Sequence, residues 1–281
     1  MKDHPSAMKP VEPIHVVHLF PEVHARLLNL LRGLTAEEWT APTACAGWSV
    51  KDVALHLLDG DVGVLSWQRD RDRSGILPVN LSFVAALNQK NGNWVEATRQ
   101  MSPRVIVDLI EHLGGQALSH WQEADPFVLD GVVSWAGPGR APQWLDMARH
   151  YTEKWHHQQH IRDAVHKPGL KEPRYLHPVL DTFVRALPHT FRDVAAHTGT
   201  VVELDVEGDA GGSWFLLREP DLWTLWTDAA GPSTATVRLD QDVAWRMFTK
   251  GISTEEALRQ CDLSGDRSLA AKVLGTVSII A

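Results

Sequence analysis

Cysteine is scarce. Cys45 and Cys261 are the only two in 281 residues and stand far apart, which excludes a disulfide-stapled scaffold and an all-cysteine zinc site and fits a reducing compartment. No apolar run approaches the roughly 20 residues needed to cross a bilayer. Residues 1–13 hold charges and three prolines but no apolar leader core, so the expectation is a soluble, unexported, cytoplasmic protein that does not engage a membrane. Cations are outnumbered, 27 Lys and Arg against 35 Asp and Glu, for a net charge of −8. That balance argues against a nucleic-acid footprint and favours small molecules as partners. Internal repeats and low-complexity tracts are also missing.

At roughly 150 residues per domain the length predicts about two domains, and 44% hydrophobic with 22% charged residues is a globular balance. Apolar residues at helical spacing predict a helix from Pro21 to the Gly33 stop, then a capped turn at 35–38 carrying Trp39. A second helix follows the Ser49 cap and encloses His56. A weaker helix over 79–94 is interrupted at Asn91-Gly92-Asn93, and a clearer one starts at Ser102-Pro103. Residues 127–142 read as a loop and 144–165 as about six helical turns. Three prolines mark 166–178 as a linker. Beyond it come a helix over 179–196 broken at Pro188, then strands at 201–206, 214–218, 222–227 and 236–239. Helices over 242–249 and 267–280, flanking a shorter piece at 254–259, close the chain. The expected organisation is a helical bundle over 1–165, the linker over 166–178, and a small α+β domain over 179–281.

Histidine and tryptophan are abundant, 15 and 12. Five histidines, His150, His156, His157, His160 and His166, fall within 150–166. At about 100° per residue, His157 and His160 lie within about 40° of Glu153, whereas His156 lies about 60° to the other side. A carboxylate and an imidazole one turn apart can ligate one metal ion while a facing helix offers a third ligand, for which His56 is the natural candidate. Three protein ligands leave a position for water or substrate, as in catalytic sites. The same spacing also suits a solvated i,i+4 pair with His56 as a hydrogen-bonded core residue. His160 is a ligand, a neighbour of the ligands or a pocket acid/base. His150, His156 and His166 read as surface residues, and Gln158 and Gln159 as helix-surface or ligand-supporting amides. Trp48, Trp135, Trp144 and Trp155 read as core packing ahead of pocket lining.

Pro42-Thr43, the run Gly47-Trp48-Ser49-Val50-Lys51-Asp52 and His56-Leu57-Leu58 resemble the N-terminal signature of mycothiol-dependent maleylpyruvate isomerase-like proteins, a branch of the DinB-like metal-binding superfamily. Ser134-Trp135-Ala136-Gly137, Trp144-Leu145-Asp146 and residues 152–164 resemble that branch's fourth bundle helix. Asp242, Trp245, Arg246, Phe248 and Gly265-Asp266 resemble its second domain. The resemblance implies an α+β two-domain chain: a DinB-like four-helix bundle, then a small sterol-carrier-like α+β domain. It places the family's two-histidine, one-glutamate metal site on His56, Glu153 and His157. One departure stands out: where the family offers an arginine in a Gly-Arg step, this chain has Thr249-Lys250-Gly251. Arg246 or Lys250 is the candidate replacement, although Arg246 also reads as an ordinary surface helix residue. Lysine and arginine do not recognise carboxylates alike, which puts maleylpyruvate in question as the substrate.

The implied chemistry is a low-molecular-weight thiol such as mycothiol, held as thiolate by a divalent cation, for which zinc is the default and nickel, iron or manganese also suit the donors. Attack on a conjugated double bond gives isomerisation, and attack with loss of a leaving group gives S-transfer. His160 or Asp52 is the candidate proton carrier. Two alternatives stay open: a hydrolase using metal-activated water, and a non-catalytic stress protein that binds a metal or small ligand.

Overall fold

The computed structural model describes residues 9–72, 74, 77, 80–229 and 231–279. The Val79 start of the weaker helix expected over 79–94 lies outside them. The chain divides into two compact units, one holding His15–Val128 and Asp146–Leu170, the other residues 9–14, Leu129–Leu145 and 171–279. Residues 129–145 thus group with the second half of the chain. The expected loop over 127–142 contains two paired strands, β1 (Leu129–Val132) and β2 (Arg140–Pro142).

In the helical unit, α1 (Phe20–Arg32) has Pro21 in its first turn, where a missing N–H loses nothing, and ends at Gly33. The short α2 (Ala36–Thr40) starts at a reciprocal Thr35–Glu38 capping box that seats Trp39 in the core. The next helix, α3 (Val50–Gly63), has its own box between Ser49 and Asp52. Helix α4 (Phe83–Thr98) runs unbroken through Asn91-Gly92-Asn93, contrary to the sequence expectation. Trp94 donates its indole N–H to the Leu55 carbonyl and Val95 is buried, so packing outweighs the poor local propensity. Helix α5 (Pro103–Glu123) begins at the Ser102 cap, and α6 (Gln143–Ala164) supplies its residues from Asp146 onward to this unit. Leu27, Leu31, Val53, Leu57, Ile106, Ile110 and Ile161 form the shared apolar core.

In the other unit the expected linker is folded: α7 (Pro173–Phe183) starts inside it, with Tyr175 and Leu176 fully buried. Pro173 occupies the first turn, and Pro178 forfeits a single i→i−4 bond, so three prolines do not prevent a helix here. A tight turn at Val184–Ala186 separates it from α8 (Leu187–Phe191), which has Pro188 in its first turn. The sheet holds β3 (Val201–Glu207), β4 (Gly212–Arg218), β5 (Trp223–Trp226), β6 (Ala235–Asp240) and β7 (Cys261–Gly265) in the order β5-β4-β3-β6-β7. Only the β3–β6 pair is parallel. Period-two alternation sends Val202, Leu204, Val206, Val237 and Leu239 into the core. Glu203, Asp205 and Arg238 take the other face, with Arg238 Nε 2.8 Å from Asp205. Helices α9 (Gln241–Phe248), α10 (Thr254–Arg259) and α11 (Arg267–Val273) complete the unit. The last helix is shorter than the expected 267–280.

Candidate metal centre

Local chemistry at the start of α3 positions its histidine. Ser49 accepts from the Asp52 N–H, and the Asp52 carboxylate accepts from the Ser49 N–H and hydroxyl. Arg99 Nε donates to the same carboxylate at 2.8 Å. Burial raises the Asp52 pKa, but the bonds from Arg99 and Ser49 outweigh it and hold the acid below its ordinary value. Asp52, a candidate proton carrier from the sequence, thus fastens the first turn of α3. One turn further on, His56 lies beside Trp48, ring centroids 5.2 Å apart.

Glu153 and His157, one turn apart on α6, meet His56 in space. His157 Nε2 lies 3.4 Å and His56 Nε2 3.9 Å from Glu153 Oε2, and the two imidazole rings are 4.7 Å apart, edge to face. Donors at metal–ligand lengths around a tetrahedral ion stand about 3.3 to 3.6 Å apart, so this spacing is close to what an ion would impose. Protonation states fit as well. Burial raises the Glu153 pKa, yet the facing His157 and His56 nitrogens overcome it and hold the carboxyl well below its ordinary value. Burial, reinforced by the charge of His156, lowers His157 well below the ordinary histidine value. The result is an ionised carboxylate beside a neutral imidazole, the states a divalent cation needs. His56 Nδ1 is buried without a hydrogen-bond partner among the described residues.

Sequence reasoning missed Cys45, which stands 112 residues from His157 in the chain. Its loop is tied: Thr43 Oγ1 donates to the Trp48 carbonyl, the Cys45 N–H donates to Thr43 Oγ1, and Pro42 bridges Ser49. Cys45 Sγ then lies 3.2 Å from His160 Nδ1 and 3.8 Å from His157 Nδ1. Burial, with the nearby charge of Glu153, pushes the thiol up to about 11 despite the Thr43 hydrogen bond. The signal for it was available only as a cysteine four residues before a helix cap. His160, from the sequence a candidate ligand or acid/base, is buried against this thiol.

Other residues of α6 correct the sequence picture. His156 is 2% exposed rather than on the surface, its Nδ1 bonded to the Thr152 carbonyl at 2.7 Å. Gln158 and Gln159 are fully buried, Gln158 donating to the Val23 carbonyl and accepting from Arg162, Gln159 accepting from the Leu170 N–H. His150 packs on Trp121 and bonds Arg149, and burial together with Arg149 lowers its pKa to about 3. His166 is exposed, as expected. Trp155 is core, donating to the Leu170 carbonyl. Beside Glu153, Lys154 forms a buried ion pair with Asp61 at 2.6 Å. His24 lies in the same region, and Gly114 makes room for it: a Cβ there would fall 2.3 Å from its ring.

In the other unit, Arg246 lies over Trp245 and pairs with Asp242 at 3.4 Å. Lys250 adopts a positive φ of 57° just past α9.

Residues 20–162 match the family described as mycothiol maleylpyruvate isomerase N-terminal domain. Among solved structures, a histidine-to-alanine variant of the mycothiol-dependent maleylpyruvate isomerase matches with a TM-score of 0.55 at 12% identity, covering 90% of this chain and 93% of that one. The mycothiol-dependent maleylpyruvate isomerase structure itself gives 0.52 at 13%, covering 84% and 88%. The structural overlap shows a shared α+β fold, and at these identities it shows the fold alone. A UbiJ-SCP2 ubiquinone synthesis protein reaches a TM-score of 0.24 over 30% of this chain, too loose to define the kinship of the sheet unit. No curated protein matches. No helix among the described residues is long and apolar enough to cross a membrane. With more than half of its length matched, the chain belongs to the mycothiol maleylpyruvate isomerase N-terminal domain family.

Proposed function

We propose that this chain is a metal-dependent enzyme that uses a low-molecular-weight thiol of the mycothiol type to isomerise, or to transfer sulfur onto, a small electrophilic substrate. The observation that supports it most is the meeting of His56 Nε2, Glu153 Oε2 and His157 Nε2 in one partly buried cluster drawn from two helices. A divalent cation on these donors supplies positive charge that lowers the pKa of an incoming thiol to the neutral range. Glu153 contributes the compensating negative charge and His157 a neutral lone pair. Cys45, kept protonated by burial, does not compete as the nucleophile, so the attacking sulfur arrives with the cosubstrate. Its addition to a conjugated carbon–carbon double bond forms a C–S bond and an enolate. Rotation about the resulting single bond and expulsion of the thiolate then return the isomerised alkene. Asp52 and His160, the candidate proton carriers, are engaged with Arg99 and Cys45, so neither is assigned a proton transfer, and Arg246, paired with Asp242, is not assigned the recognition of a substrate carboxylate.

The test is Mn(II) titration of chelator-treated protein, followed by the loss of the free-ion resonance. One ion per chain is expected, lost in both His56→Ala and His157→Ala. At an ion concentration of 100 times Kd the wild type gains about 2.7 kcal/mol of stability, which a chelator removes. Wild type without Mn(II) binding, or variants that retain it, would overturn the site. Turnover of a conjugated electrophile at a rate independent of added thiol would overturn the thiol chemistry.

A further inference from the structure

We infer that Cys45, His157 and His160 form a second cation site, selective for soft ions, that shares only the His157 ring with the first. The three ligand atoms lie within 4.8 Å of one another. The sulfur–nitrogen separations of 3.2 and 3.8 Å bracket the roughly 3.6 Å that a tetrahedral ion imposes with bonds near 2.3 Å to sulfur and 2.1 Å to nitrogen. One thiolate and two imidazoles suit Zn(II), Cd(II) or Cu(I), whereas a carboxylate with two imidazoles tolerates harder ions.

The two sites use opposite nitrogens of His157. Nε2 faces Glu153 at 3.4 Å and Nδ1 faces Cys45 at 3.8 Å. A neutral imidazole has one lone pair and one N–H. When an ion sits with Glu153, the Nδ1–H donates to Cys45 Sγ. When an ion sits on Cys45, the ring carries its proton on Nε2 and donates to Glu153, and the thiol proton passes to solvent. The sites are therefore filled one at a time. A soft cation on Cys45 withdraws His157 from the first site and blocks whatever that site does.

Cd(II) is the probe. In wild type, a thiolate-to-cadmium charge-transfer band is expected to rise to one equivalent, with bound Mn(II) released in step. His56→Ala keeps the band. Cys45→Ser and His160→Ala each lose it and bind Cd(II) at least about tenfold more weakly. Cys45→Ser still binds Mn(II), which shows that it is folded. Absence of the band in wild type would overturn the site, as would its survival in Cys45→Ser, which would trace it to Cys261. Loss of the band in His56→Ala would merge the two sites into one. Mn(II) that stays bound while the band grows would refute the shared ring. If Mn(II) fails to bind wild type at all, the first site fails while the cadmium band still decides this one.

Discussion

Replacing Lys154 with methionine isolates the worth of a buried charge beside the metal ligands. Lys154 Nζ stands 2.6 Å from Asp61 Oδ1, with the side chains 10% and 1% exposed. At an effective dielectric of about 20, unit charges at that separation attract by roughly 6 kcal/mol, and withdrawing both from water offsets most of it. The intact pair therefore adds little net stability. Neither Asp61 oxygen has a hydrogen-bond partner among the described residues, so removing the ammonium strands a carboxylate in the bundle, at about 3–5 kcal/mol. Methionine preserves most of the volume, which keeps cavity formation out of the comparison. The double variant Lys154→Met/Asp61→Leu removes both charges and is expected within about 1 kcal/mol of wild type. Urea denaturation followed by far-ultraviolet circular dichroism at pH 7 measures all three proteins. A single variant losing less than about 1 kcal/mol, or a double variant as unstable as the single, would refute the reasoning.

Two further perturbations test the same unit. Burial and the charge of Lys154 lower the His24 pKa to about 4 from 6.5. The unfolded chain thus takes up a proton that the folded chain refuses between those values. Stability is unaffected above pH 6.5 and falls with pH through the window by about 3 kcal/mol. In His24→Gln, denaturant midpoints between pH 7 and 4 should fall less steeply; an unchanged slope would contradict a neutral buried His24. Ser49→Ala removes the cap of α3 and should destabilise by about 1 kcal/mol, with weaker Mn(II) binding because His56 rides on that helix. A cap variant that binds Mn(II) as tightly as wild type would show that the first turn does not position His56.

Where local rules and packing agree, the sequence was enough. The Thr35 and Ser49 caps, the Pro21 and Ser102-Pro103 starts and the period-two strands of β3 and β6 fall where local chemistry puts them. Glu153 and His157 were legible because one helical turn separates them, and His56 because it sits among apolar helix positions. Cys45 was not, because only the folded loop carries it to α6. The continuous α4 and the helix through Pro178 were missed because buried Val95, Tyr175 and Leu176 outweigh local breakers. The polar residues of α6 misled for a related reason: helical periodicity assumes one solvated face, and among its described neighbours His156, Gln158 and Gln159 have none.

The burial of every side chain from Lys154 to Arg162 inverts the usual mutational tolerance of a helix. Along α6 the polar side chains are wired to partners such as the Val23 carbonyl, the Leu170 amide and the Pro168 carbonyl. An apolar replacement of Gln158, Gln159 or Arg162 does not relieve a buried polar group but leaves its former partners unanswered. Variation in this helix is therefore constrained by wiring rather than by hydropathy. Its hydrophilic letters are the conservative ones, and a substitution that looks like better core packing damages the scaffold on which Glu153, His157 and His160 are mounted.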